Sequence, residues 1–148
     1  MANTDKFTAL DALYTAHEQM LKTPTKETFQ KTGAAAIIAL LLCDESQRDC
    51  ETFLTCAYVL SDAFLRFYRL GAGGNDPMPC DLGDKTPFPV TAEYVYKMII
   101  TAKNRCQTDE EKSAFLPEIL ALEKEYKQTT AFQKWWKKFS STPPQTPQ

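Results

Sequence analysis

Apolar residues recur at intervals of three and four along most of the chain, the spacing that gathers them on one face of an α-helix. The first such stretch is Thr4 to Leu21, and Pro24 ends it because proline disfavours helical geometry in the residue before it. A second helix runs to about Leu42, and its half from Gly33 onward is apolar on every side. We therefore expect this second helix to lie centrally, with Gly33 allowing neighbouring elements to approach closely.

A third amphipathic helix follows a short polar turn, with Ser46 or Asp49 as its cap, and ends at Gly71. From Gly71 to Pro89 the apolar periodicity is lost, and the segment holds four of the five glycines and four of the nine prolines. Connections of this length without regular structure tend to be functional or disordered. The sequence therefore predicts a long Gly/Pro-rich loop, residues 71–90, between a three-helix first half and a helical second half.

The second half begins with two clear helix starts. Thr91 can cap one helix, and Thr108 with Glu111 forms the pattern of a capping box that starts the next. Pro117 interrupts that second pattern, so we expect either a kink or two short helices.

The remaining chain predicts a final helix and a tail. Glu123 and Lys127 are one helical turn apart and predict an exposed ion pair. Thr129 or Thr130 can then cap a last short helix over residues 131–139. Residues 140–148 contain only Ser, Thr, Pro and Gln, so we expect them to form a disordered tail.

These patterns predict an all-α protein, a compact helical bundle of five to seven helices, because no segment alternates apolar and polar residues as a strand does. With 148 residues, of which 43% are apolar, the chain is long enough to bury one sizeable core. We expect a single helical domain over residues 1–139.

The charge and cysteine content narrow the expected partners and location. A formal net charge of −2 lacks the broad positive field that draws proteins onto nucleic acid, so we do not expect nucleic-acid binding. The longest apolar run, residues 33–43, is about half of the roughly 20 residues that a transmembrane segment requires. The N-terminal residues lack a secretory signal pattern, and five cysteines are an odd number, so we expect a cytoplasmic protein.

Candidate catalytic groups are few. His17 is the only histidine, and its place on the apolar stripe of the first helix is typical of a core or edge residue. No histidine or cysteine spacing matches a zinc site, so we expect neither a metal nor a cofactor. Four cysteines in or beside apolar helical stretches are expected to be buried: Cys43, Cys50, Cys56 and Cys106.

Cys80 differs because it lies in the predicted loop, where we expect it to meet solvent. Nearby Asp76, Asp81 and Asp84 should disfavour its thiolate. The same acids keep one alternative open, a small enzyme with a carboxylate-based site near residues 71–90. We lean against an enzyme, because the sequence contains no recognisable nucleophile with its base and no phosphate-binding loop.

The last helix carries the sharpest pattern in the sequence. Its aromatic residues have the spacing i, i+3, i+4 and i+7 and form one face: Phe132, Trp135, Trp136 and Phe139. Its other face carries Lys134, Lys137 and Lys138. Such a helix can dock on its own bundle, insert its aromatics into another protein, or lie on a membrane surface, for which so few residues give a weak anchor.

From these observations we expect a non-catalytic protein–protein interaction module, such as an adaptor, an assembly subunit or an accessory factor. The expected surfaces are the aromatic and basic last helix and the long loop. The partner is another protein or a second copy of this chain, since a bundle with uncovered apolar surface often dimerises. Peripheral membrane association through the last helix is the other alternative.

Overall fold

Six α-helices build the computed structural model, which describes residues 6–70, 77–83 and 86–141. The helices are α1 (Lys6–Lys22), α2 (Lys26–Leu42), α3 (Cys50–Leu70), α4 (Ala92–Asn104), α5 (Asp109–Lys127) and α6 (Thr130–Ser141), with a short 3-10 turn at Glu45–Gln47. The expected all-α fold of five to seven helices is confirmed. Within the described residues, no helix is long and apolar enough to cross a membrane.

Side-chain caps start the helices at the positions that the sequence indicates. Asp49 accepts a hydrogen bond from the backbone N–H of Thr52 at 2.9 Å, so Asp49 rather than Ser46 caps α3. Thr108 and Glu111 form the expected capping box, each side chain accepting from the other residue's backbone N–H at 3.1 Å. The hydrogen bonds that the Glu111 carboxylate accepts, first from the backbone N–H of Thr108 and then from that of Gln107, lower the pKa of Glu111.

The core lies between α2 and α3. These two helices pack along each other, α1 covers α2, and α4 lies against α3. Small side chains such as Ala36 and Ala57 are fully buried there, which lets the helices approach closely. The last turn of α2 is less covered than the rest of the helix, because Leu41 and Leu42 are exposed. The helices α5 and α6 complete the second half by packing against α4.

A two-stranded antiparallel sheet replaces part of the predicted loop. Strands β1 (Met78–Cys80) and β2 (Phe88–Val90) pair with Met78 opposite Val90. The prediction of a segment without regular structure is therefore wrong for these residues, while 71–76, 84 and 85 lie outside the described residues. Pro79 and Pro89 face each other in this pairing and are exposed, where their missing N–H groups cost the core nothing.

The hairpin is held against the bundle at Gly33 on α2. A Cβ atom at this position would collide with the terminal methyl of Met78 and approach the Cys80 sulfur to 3.0 Å. Met78, Cys80 and Val90 are all fully buried. The close approach expected at Gly33 is therefore confirmed, and the element that uses it is β1.

Two expectations about α5 need correction. The helix is continuous from Asp109 to Lys127, so the alternative of two short helices meeting near Pro117 is wrong, and the kink stays a prediction. Glu123 does pair with Lys127, at 3.1 Å, but the pair is not exposed at its acidic end because Glu123 is only 7% exposed. A second contact comes from Lys103 on α4, whose Nζ lies 3.1 Å from Glu123 Oε1.

Candidate functional site

The turn between α5 and α6 fixes where the last helix begins. Thr129 caps α6, because its hydroxyl accepts from the backbone N–H of Phe132 at 3.3 Å and its carbonyl accepts from that of Gln133 at 3.0 Å. The same hydroxyl donates to the carbonyl of Tyr126 at 2.7 Å. Phe132, the first residue of the aromatic face, therefore lies directly against the end of α5. The helix continues to Ser141, two residues beyond the expected end, and residues 142–148 lie outside the described residues.

The inner part of the aromatic face is anchored in the protein. Phe132 is buried, with its ring centre 5.2 Å from that of Tyr96 on α4 and 5.7 Å from that of Tyr126 on α5. The Tyr126 hydroxyl donates to the carbonyl of Ala92 at 2.8 Å, and burial raises the pKa of this phenol. Trp135 is half-buried, with its ring centre 5.8 Å from that of Tyr96. Of the expected binding residues, Phe132 therefore belongs to the protein core and Trp135 lies at its edge.

The outer part of the face is open. Trp136 is 43% exposed and Phe139 is 58% exposed. Trp136 stacks on Phe132 with an interplanar angle of 13°, and Phe139 stacks on Trp135 at 20°. Each exposed ring therefore rests on a ring that the fold holds in place, which limits the rotamers that it can adopt.

The three lysines of α6 are exposed on the other face of the helix, as the sequence predicts. Lys134 and Lys138 also line, with Trp135, a cavity of about 330 Å³ between α6, α3 and the start of α4. All seven predicted site residues therefore lie on α6, with two open aromatic rings on one face and three exposed lysines on the other.

The other expected surface, the loop, does not present its thiol. Cys80 is fully buried, which contradicts the expectation that it meets solvent, and burial raises its pKa to about 12. Asp81 is exposed and accepts from the backbone N–H of Gly83 at 2.9 Å, a turn contact. Asp76 and Asp84 lie outside the described residues. The four other cysteines are buried, as expected.

A polar cluster that sequence reasoning missed lies between α1 and α3. His17 Nε2 is 2.8 Å from Asp62 Oδ2, and Arg66 Nε donates to Asp62 Oδ1 at 2.9 Å. His17 is thus an edge residue with one bonded nitrogen, as its position suggested, but no local pattern links it to a residue 45 positions away. Within the described ranges, no three His, Cys, Asp or Glu side chains group closely enough to hold a metal ion.

Comparisons with known proteins assign no relative. No protein-family model matches the chain, and no match is found among curated proteins or solved structures. Function must therefore be argued from this site alone.

Proposed function

We propose that the protein is a non-catalytic protein–protein interaction module that binds an apolar, acidic segment of another protein through α6. Roles as an adaptor, an assembly subunit or an accessory factor all use such a surface. The observation that supports the proposal is the exposure of Trp136 and Phe139 on rings that the fold anchors.

Anchored aromatics suit binding for an energetic reason. Trp and Phe bury large areas but lose little side-chain entropy, and residues of this kind dominate binding free energy in protein interfaces. Because Phe132 and Trp135 already hold Trp136 and Phe139 by stacking, less freedom is lost when a partner covers them. The binding surface is therefore preorganised in the free protein.

The lysines of α6 indicate the charge of that partner. Lys134, Lys137 and Lys138 are exposed on the other face of the same short helix, within about one turn of the open rings. Charges near an interface mainly steer encounter and select partners of opposite sign. We therefore infer an acidic partner segment. The 71–90 loop adds less to the proposal, since Met78, Cys80 and Val90 are committed to the core.

The membrane alternative has weaker support. A membrane-surface helix inserts its whole apolar face at headgroup depth. Burial of Phe132 and partial burial of Trp135 leave only two rings for lipid. As part of the same proposal we place the protein in the cytoplasm, supported by the burial of its five cysteines as thiols, none of which is bonded to another in the described residues.

The test compares matched variants for binding to two labelled peptides. The peptides share Leu and Phe positions, and one carries Glu where the other carries Lys. The Trp136→Ala/Phe139→Ala protein is the test variant, and Leu41→Ala on α2 is its control because Leu41 is 60% exposed. We expect the wild type and Leu41→Ala to bind the acidic peptide and the double variant to bind it at least roughly tenfold more weakly.

Four results would contradict the proposal. One is equal affinity for the acidic and basic peptides, which would remove the role of the lysines. Another is unchanged binding by the double variant. The third is flotation of the wild type, but not the double variant, with phosphatidylserine vesicles in the absence of peptide binding, which would establish the membrane alternative. Sedimentation of the wild type as a dimer and of the double variant as a monomer would assign the surface to self-association.

A further inference from the structure

A groove runs along the face of α3 that looks away from α2, and it is separate from the aromatic face of α6. Its floor is a stripe at alternating spacings of four and three residues along α3: Glu51, Thr55, Tyr58, Asp62, Leu65 and Arg69. From the first to the last of these the helix rises about 27 Å, or five turns. Two adjoining cavities of about 630 and 950 Å³ share Tyr58 and form this groove. We call it the α3 groove.

Two other helices wall the α3 groove. α1 lies on one side and α5 on the other. Both run in the same direction as α3, because Tyr14 and Phe115 line the 630 Å³ cavity near the start of α3 and the later residues Leu21 and Gln128 line the 950 Å³ cavity near its end. The wall residues have helical spacings that match the floor: Tyr14, His17 and Leu21 on α1, and Phe115, Glu118, Leu122 and Glu125 on α5. Three stripes of this period, side by side, have the shape that receives a fourth helix.

The middle of the groove carries accessible apolar side chains beside the His17, Asp62 and Arg66 cluster. Tyr58 is 55% exposed, and Tyr14 and Leu21 are also exposed large side chains. Leu65 and Leu122 are half-buried beneath them. Of the two acids near the centre, Asp62 already receives hydrogen bonds or ion pairing from His17 and Arg66, and Glu125 is exposed on α5. A helix that binds here therefore meets apolar surface, and the charge of Asp62 is already paired.

The two ends of the groove have opposite charge. Glu51 and Glu118 line the end near the start of α3, while Arg66, Arg69 and Lys134 line the other end. Glu125 lies between them. At the basic end the Tyr68 hydroxyl is buried and has no hydrogen-bond partner among the described residues, so a donor is available there as well. Opposite charges at the two ends fix the direction in which a complementary helix can lie.

We propose that the α3 groove binds an amphipathic helix of a partner protein, about five turns long, with basic residues toward one end of its apolar stripe and acidic residues toward the other. The basic end of that helix lies at Glu51 and Glu118, and its acidic end at Arg66, Arg69 and Lys134. A second copy of this chain fits less well, since two concave faces do not fill each other.

The probe is a designed, fluorescein-labelled helical peptide of about three heptads with Leu at the core positions. In the segregated peptide, lysines occupy the first third and glutamates the last third. A mixed peptide has the same composition and the same Leu positions but alternates its charges. We expect the segregated peptide to bind the full chain roughly fivefold or more tightly than the mixed one in fluorescence anisotropy at low salt.

Protein variants locate the binding. Tyr58→Glu places a charge on the exposed centre of the floor and should reduce binding at least roughly tenfold. Leu41→Glu is the matched control on α2, of similar exposure, and should bind as the wild type does. Trp136→Ala/Phe139→Ala should also bind normally, which separates failure of this inference from failure of the α6 proposal. Circular dichroism of each variant confirms that the fold is intact.

The direction of binding gives the sharpest readout. A spin label on the lysine end of the segregated peptide should broaden the amide signals around Glu51 in the wild type. In the charge-reversed protein Glu51→Lys/Glu118→Lys/Arg69→Glu/Lys134→Glu, the same label should broaden signals around position 69. Equal affinity for segregated and mixed peptides, insensitivity to Tyr58→Glu, or broadening centred on α6 would each overturn the proposal. So would a wild-type dimer that Tyr58→Glu makes monomeric, because a second copy would then cover the groove.

Discussion

Lys103 on α4 donates to the carboxylate of Glu123 on α5 across 3.1 Å, and this contact joins the two helices. Lys127 reaches the other oxygen of Glu123 at 3.1 Å. Burial by itself raises the pKa of Glu123, but the hydrogen bonds from Lys127 and Lys103 outweigh it and lower the pKa. The ion pair expected within α5 is therefore one half of a clamp between helices.

Replacing Glu123 with Gln should lower the free energy of unfolding by about 1–2 kcal/mol at pH 7, because a buried carboxylate with two cationic partners is lost. The lysines are nearly half exposed and can turn to water, which limits the cost. Glu93→Gln removes the exposed pair with Lys97 and should cost less than about 0.5 kcal/mol. Urea denaturation measures both.

The same clamp predicts a dependence on pH. Because the pKa of Glu123 is lower in the folded than in the unfolded protein, the unfolded state binds the proton first as the pH falls. The stabilisation is complete above the unfolded pKa, about 4.3, and is lost as the pH falls through the folded pKa. The difference in free energy of unfolding between wild type and Glu123→Gln should therefore narrow at about pH 3. A difference that does not change with pH would show that the charge of Glu123 is not its source.

Gly33→Ala should destabilise the protein by about 1–2 kcal/mol, although alanine is the better helix former. The new methyl meets the terminal methyl of Met78 and lies 3.0 Å from the Cys80 sulfur, so these buried side chains must shift. In the Met78→Ala background the same substitution should cost less, because the nearest colliding atom is gone. Thermal unfolding of the four proteins in this cycle gives the coupling. Additive effects of the two substitutions would disprove the contact.

Pro117→Ala should stabilise the protein by about 1–2 kcal/mol, because Pro117 is exposed and lies inside α5, where it removes one helix hydrogen bond. The adjacent exposed Glu118→Ala is the control and should change stability by less than about 0.5 kcal/mol. Guanidinium denaturation compares them. A loss of stability in Pro117→Ala would mean that the proline ring makes a packing contribution larger than the missing bond.

The two tryptophans should report different environments. Trp135→Phe leaves Trp136, which is 43% exposed, and Trp136→Phe leaves the half-buried Trp135. We expect redder emission and stronger acrylamide quenching from the protein that retains Trp136. Identical quenching of the two variants would contradict the division of α6 into an anchored and an open part. Acrylamide is suited to the comparison because it is neutral and the nearby lysines do not attract it.

The helices of this protein could be predicted from its sequence, because their signals are local. Apolar spacing of three and four marks a face, and Thr91, Thr108 and Asp49 cap helices through contacts three residues away. The aromatic face of α6 is visible for the same reason. What the spacing does not say is which rings of that face are covered, since Tyr96 and Tyr126 come from two other helices.

Tertiary structure decided the features that depend on distant residues. Cys80 is buried where β1 lies on Gly33, and Glu123 meets Lys103 from α4. The α3 groove exists only where the stripes of α1, α3 and α5 align, and His17 meets Asp62 only there. A helical period fixes which residues share a face, since it is set by backbone geometry over one turn. Which faces meet is set by packing of the whole chain, and no short stretch of sequence contains that information.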